Sequence, residues 1–277
     1  MKKLIFLFVS IVLLVGCQEE IDIKLKSSDY KTVIEAKYSS LAQGIIVTIT
    51  KNATYFGNDS LKAITGATIK LTVGDTSISL QAIGNGLYAS QIPPKYLNKT
   101  YTLNVQADGQ NYQAVSTMPA KVKIDSISVE QSTGIMARAS NMTKDSTYNY
   151  TVNVYMKDPS GPNYYKIILY KNGERITEDP ESSEQVFDDA LLKSNTTIKM
   201  PLIAKLKGNE IITAELMSID KASYDYYVSL LTTIMSAGGS FSVPENPITN
   251  FNNDALGYFS AYSSDTASAK APMPKKE

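Results

Sequence analysis

Ala67-Thr68-Ile69-Lys70-Leu71-Thr72-Val73-Gly74-Asp75 decides the architecture: Ala67, Ile69, Leu71 and Val73 alternate with polar residues, and the run stops at a Gly-Asp turn. Successive strand side chains point to opposite faces, so a period of two describes a half-buried β-strand and not a helix. The pattern recurs on both sides. Upstream, Ile45, Val47 and Ile49 alternate with polar neighbours; downstream, Leu103, Val105 and Ala107 do the same. Turn residues punctuate the runs at Asn58-Asp59, Gly84-Asn85-Gly86, Pro93-Pro94 and Asp108-Gly109. About seven strands at roughly ten-residue spacing over residues 30–118 predict an antiparallel sandwich of immunoglobulin-like or prealbumin-like type with its own core.

Met118-Pro119 to Lys123 reads as the connection to a second β-rich region, residues 119–277. Tyr148, Tyr150, Val152 and Val154 alternate within Thr147–Met156, and Tyr164–Tyr170 runs into the turn Lys171-Asn172-Gly173. Ile124–Glu130, Thr197–Ala204, Glu210–Ile219 and Leu256–Tyr262 supply further strands. A second antiparallel sheet, or a barrel-like domain, is expected. One segment departs from the pattern. After Asp220, residues Tyr224, Tyr227, Val228, Leu231, Ile234 and Met235 fall at i, i+3, i+4, i+7, i+10 and i+11, which predicts an amphipathic helix over 220–235 with that stripe turned to the protein. Asp220 is a suitable N-cap, Ile219 can staple onto Tyr224, and Gly238-Gly239 ends the run.

The N-terminus has a different character. Lys2 and Lys3 precede an apolar stretch from Leu4 to Val15, and Leu14-Val15-Gly16-Cys17 looks like a bacterial lipobox. Twelve residues rise only about 18 Å as a helix against roughly 30 Å of bilayer hydrocarbon, so the stretch is too short to span. It predicts a signal peptide over 1–16 and acylation of Cys17, the only cysteine, with 17–29 as a tether. Gln18, Glu19, Glu20 and then Asp22 place acid directly behind the anchor and resemble a surface-export signal, predicting an outer-membrane protein facing outward.

Composition removes several chemistries. The chain carries 27 basic and 27 acidic residues; loss of Lys2 and Lys3 with the leader leaves 25 against 27, a net of −2. No basic stripe exists to displace counterions, so nucleic acid is not an expected partner. With no histidine and the single thiol assigned to lipid, imidazole and thiol catalysis and their metal sites are excluded. Carboxylate pairs and oxygen-ligated cations survive, and the acidic run Glu174, Glu178, Asp179, Glu181, Glu184, Asp188 and Asp189 is where to look for either. Its spacing matches neither, so no catalytic residue, cofactor or metal is assigned.

Three stretches together carry a family likeness: Cys17-Gln18-Glu19-Glu20-Ile21-Asp22, Ser218-Ile219-Asp220-Lys221-Ala222-Ser223-Tyr224-Asp225-Tyr226-Tyr227, and Asn246-Pro247 leading to Leu256-Gly257-Tyr258-Phe259-Ser260-Ala261-Tyr262. They resemble domain of unknown function 4249 (DUF4249), a family of Bacteroidota outer-membrane lipoproteins. The resemblance implies a surface accessory to a TonB-dependent transporter in nutrient uptake, and it supplies no catalytic residues. Within that reading Tyr164, Tyr165, Tyr226 and Tyr258 are candidate ligand contacts, because tyrosine joins a rigid apolar face to a hydroxyl. The alternatives are a structural or adhesion component of the envelope and a carboxylate-dependent hydrolase.

Overall fold

The computed structural model describes residues 30–52, 61–91, 98–132, 147–177, 184–190, 196–237 and 245–274. Cys17, Gln18, Glu19 and Glu20 lie outside them, as do Glu178, Asp179 and Glu181 of the acidic run and the Gly238-Gly239 pair. Among its described residues the first region contains nine strands: β1 (Thr32–Ser39), β2 (Gly44–Lys51), β3 (Lys62–Ala63), β4 (Thr68–Val73), β5 (Thr76–Ser79), β6 (Gln81–Gly84), β7 (Leu87–Gln91), β8 (Thr100–Ala107) and β9 (Gln110–Thr117). Strands β5-β4-β8-β9 form one layer and β6-β7-β2-β1 the other. The alternating residues meet between them. Ile69, Leu71, Leu103 and Val105 pack against Ile34, Ile45, Val47 and Ile49, and Tyr38 meets Tyr101 edge-on at 4.9 Å across the two layers.

The second region holds β10 (Ile124–Gln131), β11 (Tyr148–Lys157), β12 (Tyr164–Lys171), β13 (Glu174–Arg175), β14 (Glu184–Asp188), β15 (Thr197–Leu206), β16 (Ile211–Ile219), the helix α1 (Lys221–Ala237) and β17 (Leu256–Lys270). The three-stranded sheet β10-β11-β15 lies over β12 and β16 and encloses Tyr150, Val152, Val154, Ile167, Leu169, Leu202 and Leu216. Among the described residues the sheets stay open and no closed barrel forms, so of the two expected forms the antiparallel sheet is the one present.

β17 joins the two halves. Its first seven residues, Leu256–Tyr262, pair in parallel with Val33–Ser39 of β1, and Ser263–Lys270 then pair antiparallel with β16. One sheet therefore runs β13-β12-β16-β17-β1-β2-β7-β6 through both sandwiches. The final strand is longer than the sequence pattern suggested, and its first half serves the other core: Phe259 and Ala261 pack with Ile34 and Leu103, whereas Ala269 packs on the second core. Over the first half, its remaining edge is closed by side chains. Phe259 N–H donates to Asn250 Oδ1 at 2.9 Å, Asn250 Nδ2 donates to the Phe259 carbonyl at 2.8 Å, and Ala261 N–H donates to Ser116 Oγ at 2.8 Å. Asn250 and Ser116 thus do the work of a neighbouring strand, satisfying backbone groups that burial would otherwise leave costly.

Gly257 explains one letter of the family-like strand. Its φ is +93°, and a Cβ there would come within 2.8 Å of the Ile34 carbonyl carbon and closer still to its oxygen. Only glycine lets the two backbones approach this closely at that dihedral.

Candidate site under the helix

α1 starts where the sequence places it. Asp220 Oδ1 accepts from Ser223 N–H at 2.9 Å and from Ser223 Oγ–H at 2.6 Å, the geometry of an N-cap. Its other oxygen accepts from Ser116 Oγ–H at 2.7 Å and Thr117 N–H at 2.8 Å, so the same carboxylate ties the helix to β9 of the first sandwich. Ile219 and Tyr224 meet in one apolar cluster, as a hydrophobic staple requires.

The buried face of the helix keeps Tyr224 and Tyr227 of the expected stripe and loses the rest. Ser223, Tyr226 and Tyr227 are buried, with Tyr224 and Leu230 half-buried beside them, whereas Val228, Leu231, Ile234 and Met235 are 37, 38, 51 and 74 % exposed. The reason is ring size and partners. Tyr226 stacks on Tyr258 of β17 at 4.2 Å, Tyr227 meets the same ring edge-on at 5.2 Å, and the Tyr227 hydroxyl donates to the Tyr258 hydroxyl at 3.0 Å. Burying these rings outweighs burying smaller aliphatic residues, and periodicity weights all apolar residues alike.

Beneath the tyrosines sits a charge cluster. Lys166 of β12 is buried, with its ammonium 3.9 Å from the centre of the Tyr227 ring and 3.1 Å from Glu184 Oε2 of β14. Glu184 is shared with Arg175, whose Nε donates to Oε1 at 2.7 Å. Burial pushes the Lys166 ammonium down from its ordinary value, against the opposing pull of the Glu184 carboxylate. Alongside, Tyr170 Oη–H donates to Glu215 Oε2 at 2.8 Å. Burial raises the phenols of Tyr226, to about 12, and of Tyr227 and Tyr258 further, so these three rings are neutral phenols at physiological pH.

The domain of unknown function DUF4249 matches residues 18–268. The chain belongs to the DUF4249 family. No curated protein matches the sequence. Among solved structures, this DUF4249 chain is similar to a candidate carbohydrate-binding protein from Bacteroides uniformis, at 10 % identity and a TM-score of 0.25 over 86 % of this chain and 98 % of the other. It is also similar to the adhesin InvE of Yersinia pseudotuberculosis, at 16 % identity and a TM-score of 0.20 over 68 % of this chain and 55 % of the adhesin. Likenesses this distant carry no information about a ligand.

In this DUF4249 protein the four candidate tyrosines do not form one group. Tyr226 and Tyr258 stack on each other, and Tyr164 joins them at the rim through Tyr224, 5.1 Å away. Tyr165, the next residue along β12, points through the sheet and is wholly buried in the second core, where its hydroxyl donates to Asp158 Oδ1 at 3.0 Å. Strand alternation separates the neighbours. Sequence reasoning passed over Lys166, although a lysine between Tyr165 and Ile167 in an otherwise apolar strand marks a buried charge in need of a partner.

The described members Glu184, Asp188 and Asp189 of the acidic run have separate partners. Glu184 is held by Lys166 and Arg175, Asp188 accepts from Ala190 N–H, and Asp189 is buried beside Asn163, whose Nδ2 donates to Asp189 Oδ2 at 2.9 Å. No three metal-binding side chains cluster among the described residues. Asp189 does have an acidic neighbour that the run did not contain: Asp158, fully buried, with one oxygen bonded to Tyr165 and the other without a hydrogen bond among the described residues. Burial first, and the nearby Asp189 charge with it, pushes the Asp158 carboxyl up from its ordinary value.

Proposed function

We propose that this protein is a lipid-anchored outer-membrane binding protein that faces outward and docks on a TonB-dependent transporter, without turning over a substrate. The observation that carries the docking reading is the exposed stripe Val228, Leu231, Ile234 and Met235 on a helix whose opposite face is fixed by tyrosines. The leader and Cys17 support the anchor, Gln18-Glu19-Glu20 support export, and the resemblance that includes α1 supports the transporter as partner. A tether confines the protein to the membrane plane and raises its effective concentration beside any partner there, so a modest apolar contact suffices. The strand Leu256–Tyr262 lies in the protein interior, so of that strand and the helix it is the helix that can meet a partner. Of the four candidate tyrosines, Tyr164 is the one with surface left for a ligand, half-buried at the rim beside Tyr224.

The test is co-purification from native membranes in mild detergent, comparing wild type with Leu231→Asp/Met235→Asp. Wild type should retain a transporter and the double variant should lose it while remaining folded and membrane-bound. Absence of any transporter from the wild-type preparation after crosslinking overturns the reading. A purified protein that hydrolyses a substrate with dependence on Asp189 favours the hydrolase alternative instead.

A further inference from the structure

A separate cleft lies on the first sandwich, on the outer face of β4-β8-β9. It encloses about 400 Å³, within the roughly 300–1,000 Å³ of small-ligand sites. Strand register builds its floor in two rows: Thr68 opposite Gln106 opposite Asn111, and Lys70 opposite Asn104 opposite Gln113. Ile69, Leu103, Val105 and Tyr112 turn into the core, so alternation directs these polar residues outward. The wall comes from far along the chain, as Asn252 and Asn253. Gln113 N–H donates to Asn252 Oδ1 at 2.7 Å, Asn252 N–H donates back to the Gln113 carbonyl at 3.1 Å, and Asn253 Nδ2 donates to the Asn111 carbonyl at 2.6 Å. Phe251, buried in the first core, and Asn250, bonded to Val115 and Phe259, anchor the same loop. The cleft is therefore preformed, which lowers the ordering cost of binding.

Its chemistry is selective. Six carboxamides line it, Asn104, Gln106, Asn111, Gln113, Asn252 and Asn253, and Lys70 is the one charged lining residue. Each carboxamide offers an acceptor oxygen beside two donor hydrogens. Much of that capacity is unspent: Asn104 uses its oxygen on Gln113 Nε2 at 2.8 Å and keeps its NH2, Gln113 keeps its oxygen, and the Gln106 and Asn111 side chains make no bond among the described residues. A peptide would seek a free strand edge or apolar side-chain pockets. Here the floor is the face of a sheet whose backbone groups are used in its ladders, and no exposed apolar side chain lines it. An anion would meet one lysine, and a cation would meet no carboxylate. Vicinal hydroxyls, each both donor and acceptor, match paired amide groups.

We propose that this carboxamide cleft between β4-β8-β9 and the Asn252-Asn253 wall binds a neutral saccharide segment. It is independent of docking through α1. The test titrates the purified full chain with maltohexaose, cellohexaose, xylohexaose and mannohexaose, with an oligogalacturonate and an alanine-glycine hexapeptide as contrasts. At least one neutral oligosaccharide should bind saturably, with a Kd unchanged as salt is raised. Gln106→Ala and Asn111→Ala should each raise Kd about three- to tenfold, the change that about 0.6–1.4 kcal/mol produces. Both side chains are exposed, so unchanged melting of the variants shows that the fold is intact. Transporter co-purification should be unaffected by either variant, which separates this test from the docking one. The proposal fails if none of the four neutral sugars binds, if both variants bind like wild type, if the oligogalacturonate wins in a salt-sensitive way, or if the peptide binds best.

Discussion

Replacing Gly257 by alanine tests the junction on which the single continuous sheet depends. Two costs are expected there. The residue has φ +93°, a dihedral that costs an L-residue about 1–2 kcal/mol. The added methyl would also lie within 2.8 Å of the Ile34 carbonyl carbon, forcing β1 and β17 apart, and such overpacking costs about 1–3 kcal/mol. The expected loss is about 2–5 kcal/mol, a fall in melting temperature of roughly 4–20 °C at about 2–4 °C per kcal/mol for a chain of this size. Gly74→Ala isolates the first cost, because Gly74 also has positive φ, +54°, but nothing within 4 Å of its added Cβ. Thermal and urea unfolding of both variants measures the difference. If Gly257→Ala costs no more than Gly74→Ala, the close approach of the two backbones has been misjudged.

Other expectations follow from single contacts. Asp158→Asn keeps an acceptor for Tyr165 and removes a buried charge beside Asp189. A carboxyl raised in the fold contributes fully below its unfolded value near 3.9 and loses stability as pH climbs through the folded value. The variant should therefore exceed wild type by about 1–3 kcal/mol at pH 8, with the gap closing toward pH 4; a gain that persists at pH 4 contradicts the assignment. Asp220→Ala removes the cap and the two bonds from β9, and urea denaturation should register a loss of about 2–4 kcal/mol; a change under about 0.5 kcal/mol would mean that the carboxylate is not a tie between the halves. Cys17→Ser should release the protein from the membrane fraction, and retention after a high-salt wash, where electrostatic adhesion is screened, counts against the lipid anchor.

Element identity was legible in the sequence because it is written locally. The alternation of Ile69, Leu71 and Val73 needs only neighbouring residues to declare a strand, and Asp220 announces the helix start within one turn. Strand partnership was not, because it depends on backbone edges that carry no side-chain pattern. Nothing in Leu256–Tyr262 says that it will lie parallel to Val33–Ser39 and complete a core laid down at the other end of the chain. The helix shows the same division: its periodicity was visible, but which stripe went inward was decided by the Tyr258 ring waiting on β17, which Tyr226 and Tyr227 met and Val228, Leu231, Ile234 and Met235 did not. The sites follow suit. Composition alone removed imidazole chemistry, since a residue type missing from the sequence is missing in any fold. The Lys166-Glu184-Arg175 cluster and the cleft that sets Asn252 and Asn253 against Asn104 and Gln113 exist only once distant segments are packed, for hydrogen bonds and ion pairs act over a few ångströms of space, whatever the sequence separation.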